Sequence, residues 1–476
     1  MCSFSFDIKY YGDFMNLKEI IDTKRNIKFN KIKLNSKDLN EKDLFIPFSG
    51  IENRNKYIKD ALNKKCFVIT DINYNHKNVF KVNSLNKEII SIFNKYHDYP
   101  LKNIKLIGIT GTDGKTTTSS ILSDLLNCPL IGTNGFIINN QTYDLNNTTP
   151  SLDVLYECFN KSRNNHFKNI VMEVSSEAYL TNRIANLNFD IGILTNVTCD
   201  HLDKHKTFEN YLKCKLELFK HSKISILNRD SKYYYKFKDV SRLSYSYGFK
   251  CGSDLRILYY KLYFDKTFLI FKYHNKKYKL IYPLLGKFNV YNVAACILTM
   301  LKLGYDIDYI LDKFKNIKQV KGRMEFLYQG DYCIAIDYAH TTNATLNVLK
   351  YFYKYNKNII TIVGCAGDRY KEKRKKIGSI VLKYSKLVIF TSDDPRYEDV
   401  NNIIDEMLSV TEKTNYIKIL DRKSAIKYAM DIHRKKDLIL VLGKGRDNYM
   451  LINDKKIEYS DYDTIMELLN SKQTRC

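Results

Sequence analysis

A chain of 476 residues is longer than one hydrophobic core comfortably fills, so several domains are expected. Its hydrophobic content of 44% excludes wholesale disorder, and no apolar run is long enough to span a bilayer. The formal charge of +25 is spread as single lysines among Asn, Tyr and Ile, which reads as a solvated basic surface that steers anionic, phosphorylated ligands and predicts no nucleic-acid partner.

The opening stretch MCSFSFDIKYYGDF lacks a basic region followed by an apolar core, so no secretory signal is read there and a cytoplasmic location is expected. The eleven cysteines are scattered singly without a C-x-x-C pair, the pattern of reduced, buried thiols and not of a zinc or dithiol site.

Residues 1–100 contain short apolar runs, DLFIPFSG and CFVITDI, between Asn/Lys-rich segments. After Pro100, NIKLIGIT (103–110) reads as a buried strand, and TTTSSILSDLLN (116–127) has helical spacing at Ile121, Leu122, Leu125 and Leu126. NIVMEVS and FDIGILTNV are further strands with helical stretches between them. From about Tyr332, DYCIAIDYA, NIITIVGCAG, KLVIFTSDD, YIKIL and DLILVLGKG each end in a polar or glycine-containing loop and alternate with helical stretches such as LNVLKYFYKY and SAIKYAMDIHRK. Alternating strand and helix predicts a parallel, doubly wound α/β sheet with ligands at the carboxyl ends of its strands. Three segments are expected: 1–100, 101–328 and 329–476.

The stretch GITGTDGKTTTSS (108–120) misses the strict G-x-x-x-x-G-K-[ST] loop, which would put glycine at Ile109. It still gives a strand, a glycine turn and a helix. Gly111 and Gly114 admit backbone conformations that a Cβ would block, so amide N–H groups can converge on an anion at the positive end of the helix. Lys115 suits the outer phosphates and the Thr116 hydroxyl suits Mg²⁺. Glu173, at a strand end, is a hard-oxygen candidate for the same cation, with a solvated carboxylate as its plainer reading.

TGTDGKTT resembles the TGTNGKTT loop of the Mur ligases, ATP-dependent enzymes that add amino acids to a UDP-N-acetylmuramoyl peptide in peptidoglycan synthesis. Asp113 stands where that family usually has Asn. Further motifs follow in family order over about residues 30–465, and they resemble the tripeptide-synthetase branch, which adds the third residue. The resemblance implies a three-domain α/β fold: a small N-terminal α/β domain for the UDP end, a central P-loop-type ATPase domain with a mainly parallel sheet, and a C-terminal Rossmann-like domain for the amino acid. It also implies a monomer that takes UDP-MurNAc-dipeptide and a free diamino acid, with ATP and Mg²⁺.

Residue by residue, the resemblance places ATP on Gly111, Thr112, Asp113, Gly114, Lys115, Thr116 and Thr117. MEVSSEAYLTNRI (172–184) resembles MEVSSHAL…R; Ser175 and Arg183 then face the UDP-sugar peptide, and Glu177 replaces a His. NTTP (147–150) matches a substrate loop, with Thr148 and Thr149 as hydroxyl donors. TNVTCDHLDKH resembles TN-x-x-x-DHLD and makes His201 a second metal ligand. YLKCKLELF puts Lys215, an unremarkable helix lysine by residue type, where the family carries a CO₂-derived carbamate that helps hold Mg²⁺. GKFNVYNVAA resembles G-x-x-N-x-x-N, with Asn292 on adenine; an Asn cap at a helix start fits the same pattern.

VKGRMEF resembles VPGRME and takes Arg323 to the ATP phosphates. AIDYAHTTNATL resembles DYAHTP, with Asp337 on ribose, and VGCAGDRYKEKR resembles GCGGDRDKTKR. The resemblance implies that ATP is held between the middle and last segments. SDDPRYED resembles the SDNPR motif of the meso-diaminopimelate enzymes, with Asp394 for Asn; the guanidinium fork of Arg396 matches a distal carboxylate that lysine lacks. GKGRDNY resembles GKGHE-x-Y, with Gly443 kept and Arg446 and Asp447 in place of His and Glu; Asp447 is the candidate for the incoming ammonium. LNSKDLNEKDLFIPFSG is a worn form of DSR…GDLFVALxG in which Ser36 survives. Meso-diaminopimelate is the favoured amino acid and L-lysine the next. A related acceptor in a side pathway, or a P-loop NTPase that is not a ligase, are the alternatives.

Overall fold

The computed structural model describes residues 15–48, 53–198, 202–410, 412–453 and 455–473. They form two compact units, one from Met1–Val197 with Thr207–Tyr247 and the other from Thr198–Lys206 with Gly248–Cys476.

In the first unit, Ile32–Lys33, Leu44–Phe45, Phe67–Thr70 and Val79–Lys81 pair as a small all-parallel sheet. The helix Leu85–Tyr96 that follows buries Leu85, Ile89, Ile92 and Phe93, a single stripe at helical spacing. That stripe meets the helix Leu152–Asn164, where Phe93 and Tyr156 lie 5.1 Å apart by ring centroids. The N-terminal segment thus shares one hydrophobic core with the larger sheet behind it.

The larger sheet runs parallel in the order Leu130–Gly132, Asn169–Glu173, Lys105–Thr110, Phe189–Leu194, Ser222–Asn228, Ser244–Gly248, with the hairpin Gly135–Ile138 and Gln141–Tyr143 extending it antiparallel. Its middle strand, Lys105–Thr110, is covered on both faces, which is why it reads as a continuous apolar run. Gly108 lies inside that strand and not at its end. A Cβ there would come within 2.7 Å of the Phe189 ring, so the glycine serves close packing.

The second unit begins with an antiparallel meander, Leu255–Leu262, Thr267–Tyr273 and Lys276–Tyr282, beside the helix Lys287–Lys302. A six-stranded sheet follows in the order Glu325–Gln329, Cys333–Asp337, Leu438–Leu442, Ile359–Val363, Leu387–Phe390, Tyr416–Lys418; the first pair is antiparallel and the rest are parallel. Side chains alternate across it. Ile334, Ile336, Ile439 and Val441 meet Ile426 and Met430 on one face, while Ala335, Leu438 and Leu440 meet Leu349, Phe352 and Val381 on the other. Helices on both faces make this the expected doubly wound sheet, and its carboxyl ends carry Asp337, Gly364, Ser392 and Gly443. Among the described residues no helix is long and apolar enough to cross a membrane, and the described cysteines are free thiols.

Candidate nucleotide and amino-acid sites

The glycine loop leaves the strand Lys105–Thr110 and enters the helix Lys115–Leu126, whose first cap is Gly114 at φ 84°, a left-handed conformation that glycine adopts without penalty. Gly111 is held by close approach: a Cβ would fall 1.8 Å from Thr195 Oγ1. The segment Thr195–Asn196 forms the opposite wall. Thr112 N–H donates to Asn196 O (2.9 Å) and Asp113 N–H to Asn196 Oδ1 (3.0 Å), while Thr195 Oγ1 and Asn196 Nδ2 donate to Asp113 O at 2.7 and 3.0 Å. The backbone of Asp113 is therefore pinned from both sides. Thr117, in the first turn of the helix, is buried.

Lys115 Nζ donates to Gly111 O (2.9 Å) and Thr112 O (3.0 Å). Lys215, only 2% exposed, comes from the helix Phe208–Lys220 and donates to the same Gly111 O at 2.8 Å. Its ammonium lies 4.5 Å from the centre of the Tyr211 ring, and Tyr211 Oη is 2.9 Å from Thr112 Oγ1. One helix face thus supplies both Lys215 and the tyrosine that braces the loop. His201 lies outside the described residues.

Glu173 ends its strand 1% exposed. Its Oε2 accepts from Thr116 Oγ1 (3.0 Å) and Thr133 Oγ1 (3.3 Å), and Oε1 accepts from Thr133 N–H (3.1 Å). Gly132 makes room for it, since a Cβ there would sit 2.3 Å from Oε1. Thr148 Oγ1 is 3.1 Å from Thr133 Oγ1. Thr149 Oγ1 donates to Glu173 O (2.9 Å) and accepts from Ser175 N–H (2.9 Å), and Arg183 Nη1 donates to Thr149 O (2.7 Å). Burial pushes the Arg183 guanidinium down from its usual range, and Glu177 partly offsets this. The structure brings Thr116, Glu173, Thr148, Thr149, Ser175 and Arg183 into one hydrogen-bonded array; Thr133 belongs to it and carries no motif signature. Ser36 lies in the short helix Ser36–Asp38 of the small sheet, where its carbonyl accepts from Lys64 Nζ at 3.1 Å.

Among the described residues no three His, Cys, Asp or Glu groups converge as a metal cluster. The adjoining Thr116 hydroxyl and Glu173 carboxylate are hard oxygen donors of the kind Mg²⁺ takes, so the donor chemistry fits that cation.

In the second unit, Asn292 is buried inside the helix Lys287–Lys302, where its Nδ2 donates to Asn289 Oδ1 at 2.9 Å. The asparagine-cap reading is corrected: Gly286 is the cap and no side chain caps that end. Asp337 is 6% exposed, and its two oxygens accept from Met324 N–H (2.6 Å) and Ala339 N–H (2.7 Å). The guanidinium of Arg323 lies 4.4 Å from the centre of the Tyr338 ring.

Lys444 is fully buried among three carboxylates: Asp394 Oδ1 at 2.9 Å, Asp393 Oδ1 at 3.8 Å and Asp447 Oδ2 at 3.9 Å. Gly443, at φ 113°, lets this loop pass Asp393, whose Oδ2 would lie 2.5 Å from a Cβ. Burial pushes the Asp447 carboxyl up to about 7; Lys444 opposes the shift and Asp393 and Asp394 reinforce it. Asp394 also accepts Leu451 N–H at 3.0 Å. Arg396 is half-buried at φ 53°, with its backbone tied to Leu451 O (3.0 Å) and Asn453 N–H (3.1 Å), and its Nε finds no hydrogen-bond partner among the described residues. Asp394, Arg396, Gly443 and Asp447 thus share one end of the sheet. The buried Lys444 and Asp393, which organise them, were legible only as neighbours in GKGRDNY and SDDPRYED.

Family models for the Mur ligase middle domain and for the Mur ligase, glutamate ligase domain match residues 109–300 and 322–445. The UDP-N-acetylmuramoyl-L-alanyl-D-glutamate--2,6-diaminopimelate ligase 1 of Clostridium acetobutylicum is 34% identical, over 97% of this chain and 98% of that protein. The chain belongs to the Mur ligase family. The Clostridium tetani 2,6-diaminopimelate ligase of the same acceptor is 32% identical over 94% of this Mur ligase and 96% of its own length. A solved UDP-N-acetylmuramoyl-L-alanyl-D-glutamate--2,6-diaminopimelate ligase, 23% identical, superposes with a TM-score of 0.70 over 97% of this chain and 100% of that one, which establishes the three-domain Mur ligase fold.

Proposed function

We propose that this Mur ligase adds meso-diaminopimelate to UDP-N-acetylmuramoyl-L-alanyl-D-glutamate, forming an amide at the expense of ATP in peptidoglycan precursor synthesis. The observation that carries the reading is the convergence of Lys115 and Lys215 on Gly111 O, beside the hydrogen-bonded Thr116 hydroxyl and Glu173 carboxylate, which offer hard oxygens. Relatives of near-equal length named for this reaction support it.

The acceptor carboxylate attacks the γ-phosphorus of ATP, the bond to the β–γ bridging oxygen breaks, and ADP leaves. Lys115 and Arg323 offset charge on the transferring group, while the amides of Gly114–Thr117, at the start of the helix, orient the phosphates. The amine of diaminopimelate then attacks the acyl phosphate carbon; phosphate leaves with the bonding pair and the amine loses a proton. Thr116, Glu173, His201 and a carbamylated Lys215 would hold Mg²⁺, which supplies charge neutralisation at the phosphates. A carbamate keeps one Nζ–H, so the bond to Gly111 O survives the modification.

Thr148, Thr149, Ser175, Arg183 and Ser36 bind the UDP-sugar peptide, Asn292 and Asp337 the adenosine, and Asp394, Arg396, Gly443 and Asp447 the amino acid. The functional segments are 1–100, 101–328 and 329–476, in a cytoplasmic monomer. L-lysine is the second reading, favoured by the three carboxylates gathered around Lys444, which suit a cationic end.

Purified protein with ATP, Mg²⁺ and UDP-MurNAc-L-Ala-D-Glu, offered a radiolabelled amino-acid panel, tests the assignment. Label from diaminopimelate should enter the UDP-sugar peptide, and Arg396→Ala should raise its KM by about tenfold or more. Turnover of lysine with none of diaminopimelate overturns the first reading.

A further inference from the structure

Two loops of the second unit are interlocked by a pair of residues to which the reaction above gives no part. Glu325 accepts Gly322 N–H at 2.6 Å and takes both Nε (2.9 Å) and Nη2 of Arg446 in a forked ion pair. The Arg446 guanidinium is stacked on Tyr462, 3.4 Å from the ring centre. The backbones touch as well. A Cβ on Gly322 (φ 70°) would meet Arg446 N at 2.9 Å, and one on Gly445 (φ 54°) would meet Gly322 O at the same distance. Gly322 O in turn accepts Tyr338 N–H at 3.0 Å, and Tyr338 carries the Arg323 guanidinium on its ring.

The neighbours in sequence give this interlock its meaning. Glu325 is two residues from Arg323, which acts on phosphate, and Arg446 immediately precedes Asp447, which receives the ammonium. An aromatic-stacked, forked Arg–carboxylate pair fixes orientation as well as distance, which a point charge would not. It is also mostly withdrawn from solvent, with side-chain exposures of 23% and 12%.

We infer that Arg446 and Glu325 are positioning residues that keep Arg323 and Asp447 in one register, so that the amine is presented while the acyl phosphate is held. This rests on the ligase reading. Without the fork, the loops bearing the phosphate group's cation and the amine's carboxylate move independently. The acyl phosphate then persists without its amine, and water attacks the acyl carbon, releasing phosphate and regenerating the acceptor carboxylate. The signature is uncoupling, not simply a slower enzyme.

The experiment measures phosphate released against amide formed in the full chain, with ATP, Mg²⁺, UDP-MurNAc-L-Ala-D-Glu and diaminopimelate. Wild type should give equal amounts. Arg446→Met and Glu325→Gln should each raise the phosphate-to-amide ratio by about threefold or more and raise KM for diaminopimelate more than KM for ATP. Arg446→Lys keeps the charge without the fork and should fall between. Thermal melts report folding; if Arg446→Met does not fold, Tyr462→Leu, which removes the tyrosine's support of Arg446 and leaves the fork's own partners in place, should still raise the ratio. A ratio that stays at the wild-type value in the folded variants overturns the inference. Wild type that releases no acceptor-dependent phosphate overturns the ligase reading instead.

Discussion

Lys115 and Lys215, a hundred residues apart in the chain, donate to one carbonyl oxygen, Gly111 O, at 2.9 and 2.8 Å. Two ammonium groups on a single acceptor repel each other, and converting one into an anionic carbamate turns that repulsion into attraction. Ligation should therefore depend on dissolved CO₂. Activity assayed in CO₂-stripped buffer should fall by about tenfold or more and return on adding bicarbonate, and Lys215→Ala should show no such response. Full activity without CO₂ would remove the carbamate from the site.

Asp113→Asn should leave the KM for ATP unchanged or lower it. The loop is held by the backbone of Asp113, whose N–H and carbonyl pair with Asn196 and Thr195, so the side-chain exchange keeps those bonds and removes a negative charge from the proposed phosphate site. An increase of more than about tenfold in that KM would assign the carboxylate a binding role.

Asp447, pushed up to about 7 by burial, is half ionised near neutrality. On the proposed assignment the charged form receives the ammonium, and the KM for diaminopimelate should then fall about tenfold per pH unit as pH rises toward 7 and flatten above it. Asp447→Asn should abolish that slope and raise KM throughout. A pH-independent KM in wild type would place the ammonium elsewhere.

His97, 7% exposed and stacked against Tyr156, is pushed down to about 3, first by burial and then by Arg163. The sign follows from linkage. At pH above the ordinary histidine value of 6.5 both folded and unfolded chains hold it neutral; as pH falls toward about 3 only the unfolded chain takes up the proton, so stability is lost across that window. The loss from this residue is on the order of 3–5 kcal/mol. Urea midpoints measured across the acid range should show a shallower decline for His97→Gln, whatever its stability near neutrality.

Much of the fold is visible in the residue order because its parallel strands are covered on both faces. NIKLIGIT, NIITIVGCAG and DLILVLGKG are unbroken apolar runs that stop at glycine or charge, and the structure ends strands at Thr110, Val363 and Leu442. The meander Leu255–Leu262, Thr267–Tyr273, Lys276–Tyr282 escapes such reading: one face is wet, and lysine and tyrosine keep its apolar runs, of which Phe268–Phe271 is the longest, short. Within the site, the residues with unusual chemistry, Lys115, Glu173 and Arg396, declared themselves through motifs. Thr133 carries no motif signature, and Thr195, Asn196 and Tyr211, which do fall within TNVTCDHLDKH and YLKCKLELF, brace the glycine loop through contacts across long separations that spacing does not reveal. Asn292 shows the converse, since its pattern allowed a cap and the chain used Gly286 instead.

Gly132 contributes no functional group, yet the Glu173 carboxylate rests where its Cβ would be. Heredity sees the two positions as one. A single-codon change that gives Gly132 a side chain should displace that carboxylate and mimic its loss, and reversion should restore the glycine codon and leave the Glu173 codon untouched.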